Sequence, residues 1–206
     1  WPFVPTNESF IVYTSRRKGN RGNLVDYDGF NTSDIYISIV KKGKYSKTKN
    51  LSLVNTMGDE EAVGVSPDGD KLFVFLDDLY IYGDIYVSTK KGKSFQGIKP
   101  SGKNVNAKSS METAACLSSD GALLFFASDR KEGYGGTDIY MSKKLPNNTW
   151  GIPVNLGPAI NTQYNEDFPS ISADGKTLHF CSEGHMSMGG FDIFKSSWDE
   201  DSSYWQ

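Results

Sequence analysis

Soft metal ligands are scarce in this chain, with two histidines and two cysteines among 206 residues. Cys116 and Cys181 fit neither a metal-site spacing nor a disulfide framework. Two free thiols buried in strands are the simpler reading, with a single bridge between them as the alternative. No G-x-S-x-G nucleophile elbow occurs. One histidine, His179, falls in an expected strand and the other, His185, in a loop, so no catalytic constellation or zinc ligand set can be assembled. No apolar run approaches the about 18 residues of a membrane-spanning helix. No segment keeps a 3.6-residue apolar period long enough for any helix. Neither sign of charge dominates: 22 basic residues face 25 acidic ones, a formal net charge of −3, which gives no pull toward nucleic acid or an anionic membrane. Trp1 opens the chain without the charged start and apolar stretch of a signal peptide, which suggests a processed or excised piece of something larger. The hydrophobic fraction, 37%, is low but compatible with a core of short strands.

What the chain has instead is repetition. "SADGKTLHFCSEGHMSMGGFDIFKSSW" from Ser172 matches "SSDGALLFFASDRKEGYGGTDIYMSKK" from Ser118 and "SPDGDKLFVFLDDLYIYGDIYVSTKK" from Ser66. A fainter copy starts at Pro5, with Asn7 and Glu8 in place of Asp-Gly. The anchors Asp34, Asp84, Asp138 and Asp192 recur roughly 50 to 54 residues apart, slightly longer than the about 40 to 50 of familiar propeller blades. A second set, Asp68, Asp120 and Asp174, each precedes a glycine and reads as a two-residue hairpin turn.

Each unit reads as four antiparallel strands: a short run such as "FPSIS", the Asp-Gly turn, an apolar run such as "TLHFCS", a glycine-rich loop, a "DIYMSK" segment, then a last strand such as "TWGIPVNLG". Four such units predict an all-β fold, a β-propeller with blades at about residues 1–57, 58–109, 110–163 and 164–206. Trp1-Pro2 aligns with Phe168-Pro169, and Trp205 with Trp150, so the last blade is expected to be incomplete. The expected parent is a ring of five or six blades; a closed four-bladed ring is the alternative.

The strings "EDFPSISADGKTLHF" from Glu166, "SDRKEGYGGTDIY" from Ser128 and "WGIPVNLGPAIN" from Trp150 resemble the TolB-type, WD-like propeller repeat. They are similar in particular to the version in multidomain envelope proteins of Bacteroidota, which join helical repeats, a propeller and an OmpA-like peptidoglycan-binding domain, one branch serving type IX secretion. Leu76, Asp77 and Asp78 depart from the Ser-Asp-Arg of the pattern. The resemblance implies a non-catalytic, periplasmic or envelope-associated scaffold whose partners are other envelope proteins, with peptidoglycan reached only through a linked domain. It implies no cofactor and no nucleic acid. A carbohydrate- or ligand-binding module, using Tyr134, Tyr164, Phe191 and Trp198, and the regulatory propeller of a hydrolase are the alternatives.

Strand order puts the Asp-Gly turns on one side of a blade, together with lysine clusters at Lys41, Lys42 and Lys44, at Lys90, Lys91 and Lys93, and at Lys143 and Lys144. These are either a basic rim for an acidic partner or solvated hairpin turns. The long loops lie opposite and form the candidate binding side, with Arg16, Arg17, Arg21, Arg130, Tyr134 and Tyr164 as candidates. Acids precede the first strands: Glu60-Glu61, Glu112 and Glu166-Asp167. They either form an anionic mouth or cap backbone donors.

Three ligand chemistries fare poorly. Gly133, Gly135 and Gly136 are followed by a strand, whereas a phosphate cradle needs a helix. They are expected to supply backbone angles closed to other residues, with Asp138 accepting backbone hydrogen bonds from their loop. Asp26, Asp28 and Asn31 bring oxygens together but miss the calcium-loop spacing at Phe30. His185, Met186 and Met188 are soft ligands for copper, in one loop only. No metal is expected.

Overall fold

The computed structural model describes residues 2–25, 28–78, 81–186 and 188–206. Trp1, the start of the expected first blade, and Asp26, of the calcium reading, lie outside them. Among the described residues every regular element is a strand. Two compact units divide the chain, Trp1–Pro100 and Ser101–Gln206, and each contains two blades.

In the first unit, β1 (Pro2–Phe3), β2 (Phe10–Ser15), β3 (Asp34–Lys41) and β4 (Lys44–Tyr45) form one antiparallel sheet, with β5 (Lys49–Asn50) also on β3. The second blade has β6 (Asp59–Val65), β7 (Lys71–Asp78), β8 (Ile81–Lys91) and β10 (Lys99–Pro100) in order, with β9 (Ser94–Phe95) also on β8. In the second unit the blades are β11 (Glu112–Leu117), β12 (Leu123–Ser128), β13 (Asp138–Lys143) and β14 (Val154–Asn155), then β15 (Glu166–Ile171), β16 (Thr177–Ser182), β17 (Asp192–Asp199) and β18 (Tyr204–Trp205).

Alternation along these strands gives each blade two apolar faces, and the cores lie between blades. Phe10, Val12, Ile35 and Ile37 of the first blade pack with Ala62, Leu72, Val74 and Phe95 of the second. Phe125 and Ile139 of the third meet Leu178, Phe180 and Trp205 of the fourth. The isoleucine after each anchor aspartate is fully buried at Ile35, Ile85 and Ile139, yet Ile193 is 78% exposed.

Two details differ from the sequence expectation. The Asp-Gly turns are not two-residue hairpins. Gly69 N–H bonds Ser66 O, Gly121 N–H bonds Ser118 O and Gly175 N–H bonds Ser172 O, so the glycine is the fourth residue of the turn, with φ of 75°, 70° and 73°. The aspartate holds the turn from inside. Asp68, Asp120 and Asp174 accept from the hydroxyls of Ser66, Ser118 and Ser172 and from a backbone N–H two residues on. These bonds keep all three carboxyls below their usual range, the serine hydroxyl being the main cause.

The last strand of a blade is also broken rather than continuous: β4 and β5 are separate pieces, as are β9 and β10. A serine directly after the Ile-aromatic-x core of each third strand bonds across to the last-strand segment. Ser38, Ser88, Ser142 and Ser196 donate to the carbonyls of Ser46, Gln96, Gly151 and Gln206. A bridging hydroxyl keeps a buried carbonyl satisfied where the ladder lapses.

Candidate functional site

In each unit the loops between second and third strands meet the connections between blades, and the anchor aspartates organise them. Asp34 accepts from Arg21 N–H and Asn50 Nδ2. Asp138 accepts from Tyr134 N–H at 2.6 Å and Asn155 Nδ2 at 2.7 Å. Asp192 accepts from Met188 N–H at 2.7 Å. Asp84 occupies the same register, opposite Leu76. Burial raises the Asp138 carboxyl above its usual range despite these donors.

The glycines of the third blade act by absence of bulk, a correction to the torsional role expected of them. None of Gly133, Gly135 and Gly136 has positive φ. A Cβ on Gly135 would lie 2.2 Å from the Gln163 carbonyl carbon, one on Gly136 2.1 Å from Asn165 Oδ1, and one on Gly133 2.6 Å from Asp138 Oδ2. Gly136 N–H bonds Tyr164 O at 2.9 Å, so the glycine loop and the 162–165 connection touch backbone to backbone. Gly189 and Gly190, their counterparts, have positive φ and nothing within 4 Å.

Three of the candidate arginines are built into the loops. Arg16 pairs with Asp28 at 2.7 Å and donates to Asn31 O, which holds the Asp28 carboxyl below its usual range. Arg21 donates to the carbonyls of Ser52 and Asn55. Arg130 stacks over Phe126 and Tyr140, 5.0 and 4.7 Å from the ring centroids. It donates to Val105 O at 2.7 Å and lies 3.3 Å from Glu112. Arg17, its counterpart, stacks over Tyr36 at 4.1 Å and donates to Ser15 Oγ.

The acids are enclosed. Glu60, Glu112 and Glu166 are fully buried. Glu112 accepts from the hydroxyls of Ser110 and Ser128 and from Ala107 N–H; Glu166 accepts from Thr162 N–H, Thr162 Oγ1 and Ser182 Oγ. Asp167 accepts from Thr113 Oγ1 and Phe168 N–H, and burial pushes its carboxyl up to about 6. Glu60 accepts from Thr56 Oγ1, its Oε2 has no hydrogen-bond partner among the described residues, and burial pushes it up to about 7. These carboxylates bond to their own loops rather than project into solvent.

Buried asparagines form a further set that sequence reasoning missed. Asn55 bonds both N–H and C=O of Ile35, and Asn161 does the same for Ile139, at 2.8–3.0 Å. Each side-chain amide gives the isoleucine N–H an acceptor, and adds a second donor to a carbonyl that already accepts from Leu51 N–H or Leu156 N–H. The signal was in the quoted "PVNLGPAIN", whose second asparagine recurs after Val54 in "NLSLVN".

Of the other chemistries, Asp28 has both oxygens engaged by Arg16 and Phe30 N–H. The His185 ring packs on Phe180 and Phe194 with Nε2 against Ile160 O at 2.9 Å, while Met186 and Met188 are fully exposed. Cys116 and Cys181 are free thiols. Among the described residues, no group of three acidic, histidine or cysteine side chains is placed to hold a metal, and no helix is long and apolar enough to cross a membrane. Left open to a partner are Tyr134 and Tyr164, each 51% exposed, on the two loops joined through Gly136. Phe191 is also exposed. Trp198 instead packs on Trp205, 5.4 Å between rings, at the far end of its strand.

No protein-family model matches the chain, and no curated protein sequence matches it significantly. Solved structures do. TolB from Acinetobacter baumannii matches all of the chain with a TM-score of 0.61 at 17% identity, over 42% of its own length. A TolB of Agrobacterium tumefaciens matches 98% of the chain at 0.62 and 14% identity, over 62% of its length. A structure from a study of two prolyl endopeptidases matches all of it at 0.59 and 10% identity, over 25% of its length. The chain thus spans less than two thirds of each of these proteins. What it shares with them is the fold, an all-β propeller of four-stranded antiparallel blades, similar to that of TolB.

Proposed function

We propose that this chain is the non-catalytic interaction module of a periplasmic, envelope-associated protein, and that its long-loop side receives a protein partner. The observation that carries the reading is the pair Tyr134 and Tyr164, exposed on loops locked together by the Gly136–Tyr164 backbone bond. Rigid, half-exposed tyrosines are common anchors of protein interfaces. The arginines and buried acids around them support the same reading, because their hydrogen bonds are spent on holding the loops. Likeness to TolB, together with the resemblance to OmpA-linked envelope proteins, supports the periplasmic setting and a possible link to type IX secretion, with peptidoglycan contacted through a separate domain.

The test is a photo-crosslinking side chain at position 134 or 164 of the full-length protein in its own envelope. Both positions should capture the same protein, and a probe at Lys144, beyond the opposite end of the strands, should not. Absence of a protein adduct at both loop positions would sink the reading. The likeness to the prolyl endopeptidase structure favours a second one, the regulatory propeller of a hydrolase; a peptidase domain in the same polypeptide would establish that instead.

A further inference from the structure

The first unit holds a groove of about 600 Å3 between its two blades, away from the long loops. That volume is in the range of about 300–1,000 Å3 typical of small-molecule sites. Ile39, Leu51 and Leu53 contribute its accessible apolar lining, with buried Phe10, Ile37 and Phe95, and Lys41, Lys49, Lys90 and Lys93 contribute four ammonium groups. Among the described residues no carboxylate lines it, and none of the four lysines forms an ion pair.

The repeat explains why the groove exists. In the fourth blade the last strand pair sets Trp198 opposite Trp205, and Trp205 is buried against Phe125 of the third blade, 6.3 Å between rings. The second blade has Lys90 opposite Phe95 at the same position. One phenyl ring and one lysine stem take the place of two indoles. The space left is the groove, and Lys90 Nζ stands 5.1 Å from the centre of the Phe10 ring. A trough with apolar walls and four like charges beside it is complementary to something apolar and anionic.

We propose that this groove binds a small amphiphilic anion, with an apolar body against Ile39, Leu51 and Leu53 and one anionic head group among the lysines. Lysine suits such a head: its ammonium is a point charge on a flexible stem, and it imposes no planar fork on the ligand. Charge-assisted hydrogen bonds would hold the head while desolvation of the body supplies the remaining affinity. The site is independent of the protein partner proposed for the loops, so either can fail without the other.

Calorimetric titration with decanoate tests it, with decanol and decyltrimethylammonium as comparisons. The expected result is saturable one-to-one binding of decanoate, at least about tenfold tighter than decanol because the charged contacts are lost, weakened by added salt, and no binding of the cation. Two variants locate the site. Lys41→Glu/Lys93→Glu changes only exposed side chains and should remove the preference for the anion. Lys90→Trp/Phe95→Trp installs the indole pair of the fourth blade and should abolish binding while the melting temperature holds or rises. If the tryptophan variant does not fold, the glutamate variant decides. Decanol binding as tightly as decanoate, no decanoate binding by the folded protein, or unchanged binding by the glutamate variant would each overturn the proposal.

Discussion

Glu60 lies directly opposite Leu76 in the β6–β7 pair, at the position where Glu112 faces Ser128 and Glu166 faces Ser182. Both of those serines donate to their glutamate; Leu76 has nothing to donate. The departure of the second blade from the Ser-Asp-Arg pattern therefore leaves Glu60 the least satisfied of three buried glutamates, and burial lifts its carboxyl to about 7. A folded-state value above the unfolded one means that the folded protein holds the extra proton. Glu60 thus contributes fully below the unfolded value near 4.5, and that contribution is lost as pH rises to about 7. At about 1.4 kcal/mol per unit the loss has an upper bound of about 3 kcal/mol. Asp167, lifted to about 6, acts in the same direction over a lower window. Urea unfolding at pH 5 and pH 8 should show the protein weaker at pH 8. Glu60→Gln should flatten most of that slope, and Leu76→Ser part of it; an unchanged slope in Glu60→Gln would refute the assignment.

Gly135→Ala should be far more damaging than Gly190→Ala. The first puts a methyl group 2.2 Å from the Gln163 backbone, which cannot swing aside as a side-chain tip would. The second meets no atom and carries only the strain of φ 70°. Expected losses are about 3 kcal/mol or more against about 1 kcal/mol, read from denaturant midpoints.

Asn161→Ala strips the Ile139 N–H of its partner in a fully buried place, while the Ile139 C=O keeps Leu156 N–H. One unsatisfied buried N–H should cost about 1–3 kcal/mol. Amide exchange at Ile139 is the specific check, since it should accelerate more than exchange at Phe126 on the neighbouring strand.

Arg130→Lys and Arg17→Lys should differ despite equivalent positions. Arg130 stacks on two rings and compensates buried Glu112, and lysine cannot do both at once. About 2–4 kcal/mol is expected there, and under about 1 kcal/mol at Arg17, which pairs with no carboxylate among the described residues. Thermal melts of the two variants would separate them.

Much of this fold was legible because its signals are local. The Asp-Ile pairs Asp34-Ile35, Asp84-Ile85, Asp138-Ile139 and Asp192-Ile193 mark the third strands wherever they occur, and the Ser-x-Asp-Gly turns mark the junction before the second. Turn geometry was less legible: Asp-Gly suits a two-residue turn as well as the end of a four-residue one, and only the Ser66–Gly69 type of bond distinguishes them. On the candidate site, sequence named Arg130 and Glu112 but not their contact, which joins a strand residue to a loop residue 18 positions on. Lys49 passed unnoticed because only the fold brings it to one groove with Lys90 and Lys93 of the next blade.

Sequence alone determined the number of repeats, their strands and the side on which the long loops fall, because turn chemistry and alternation act over a few residues. Tertiary structure alone decided what each repeated position does. Gly135 is forced by the backbone of Gln163 and Gly190 by its own torsion; Ile139 is buried and Ile193 is not; Glu166 has a serine and Glu60 a leucine. Equivalent residues diverge because burial and hydrogen-bond supply come from the side chains packed around each one, and those differ from blade to blade.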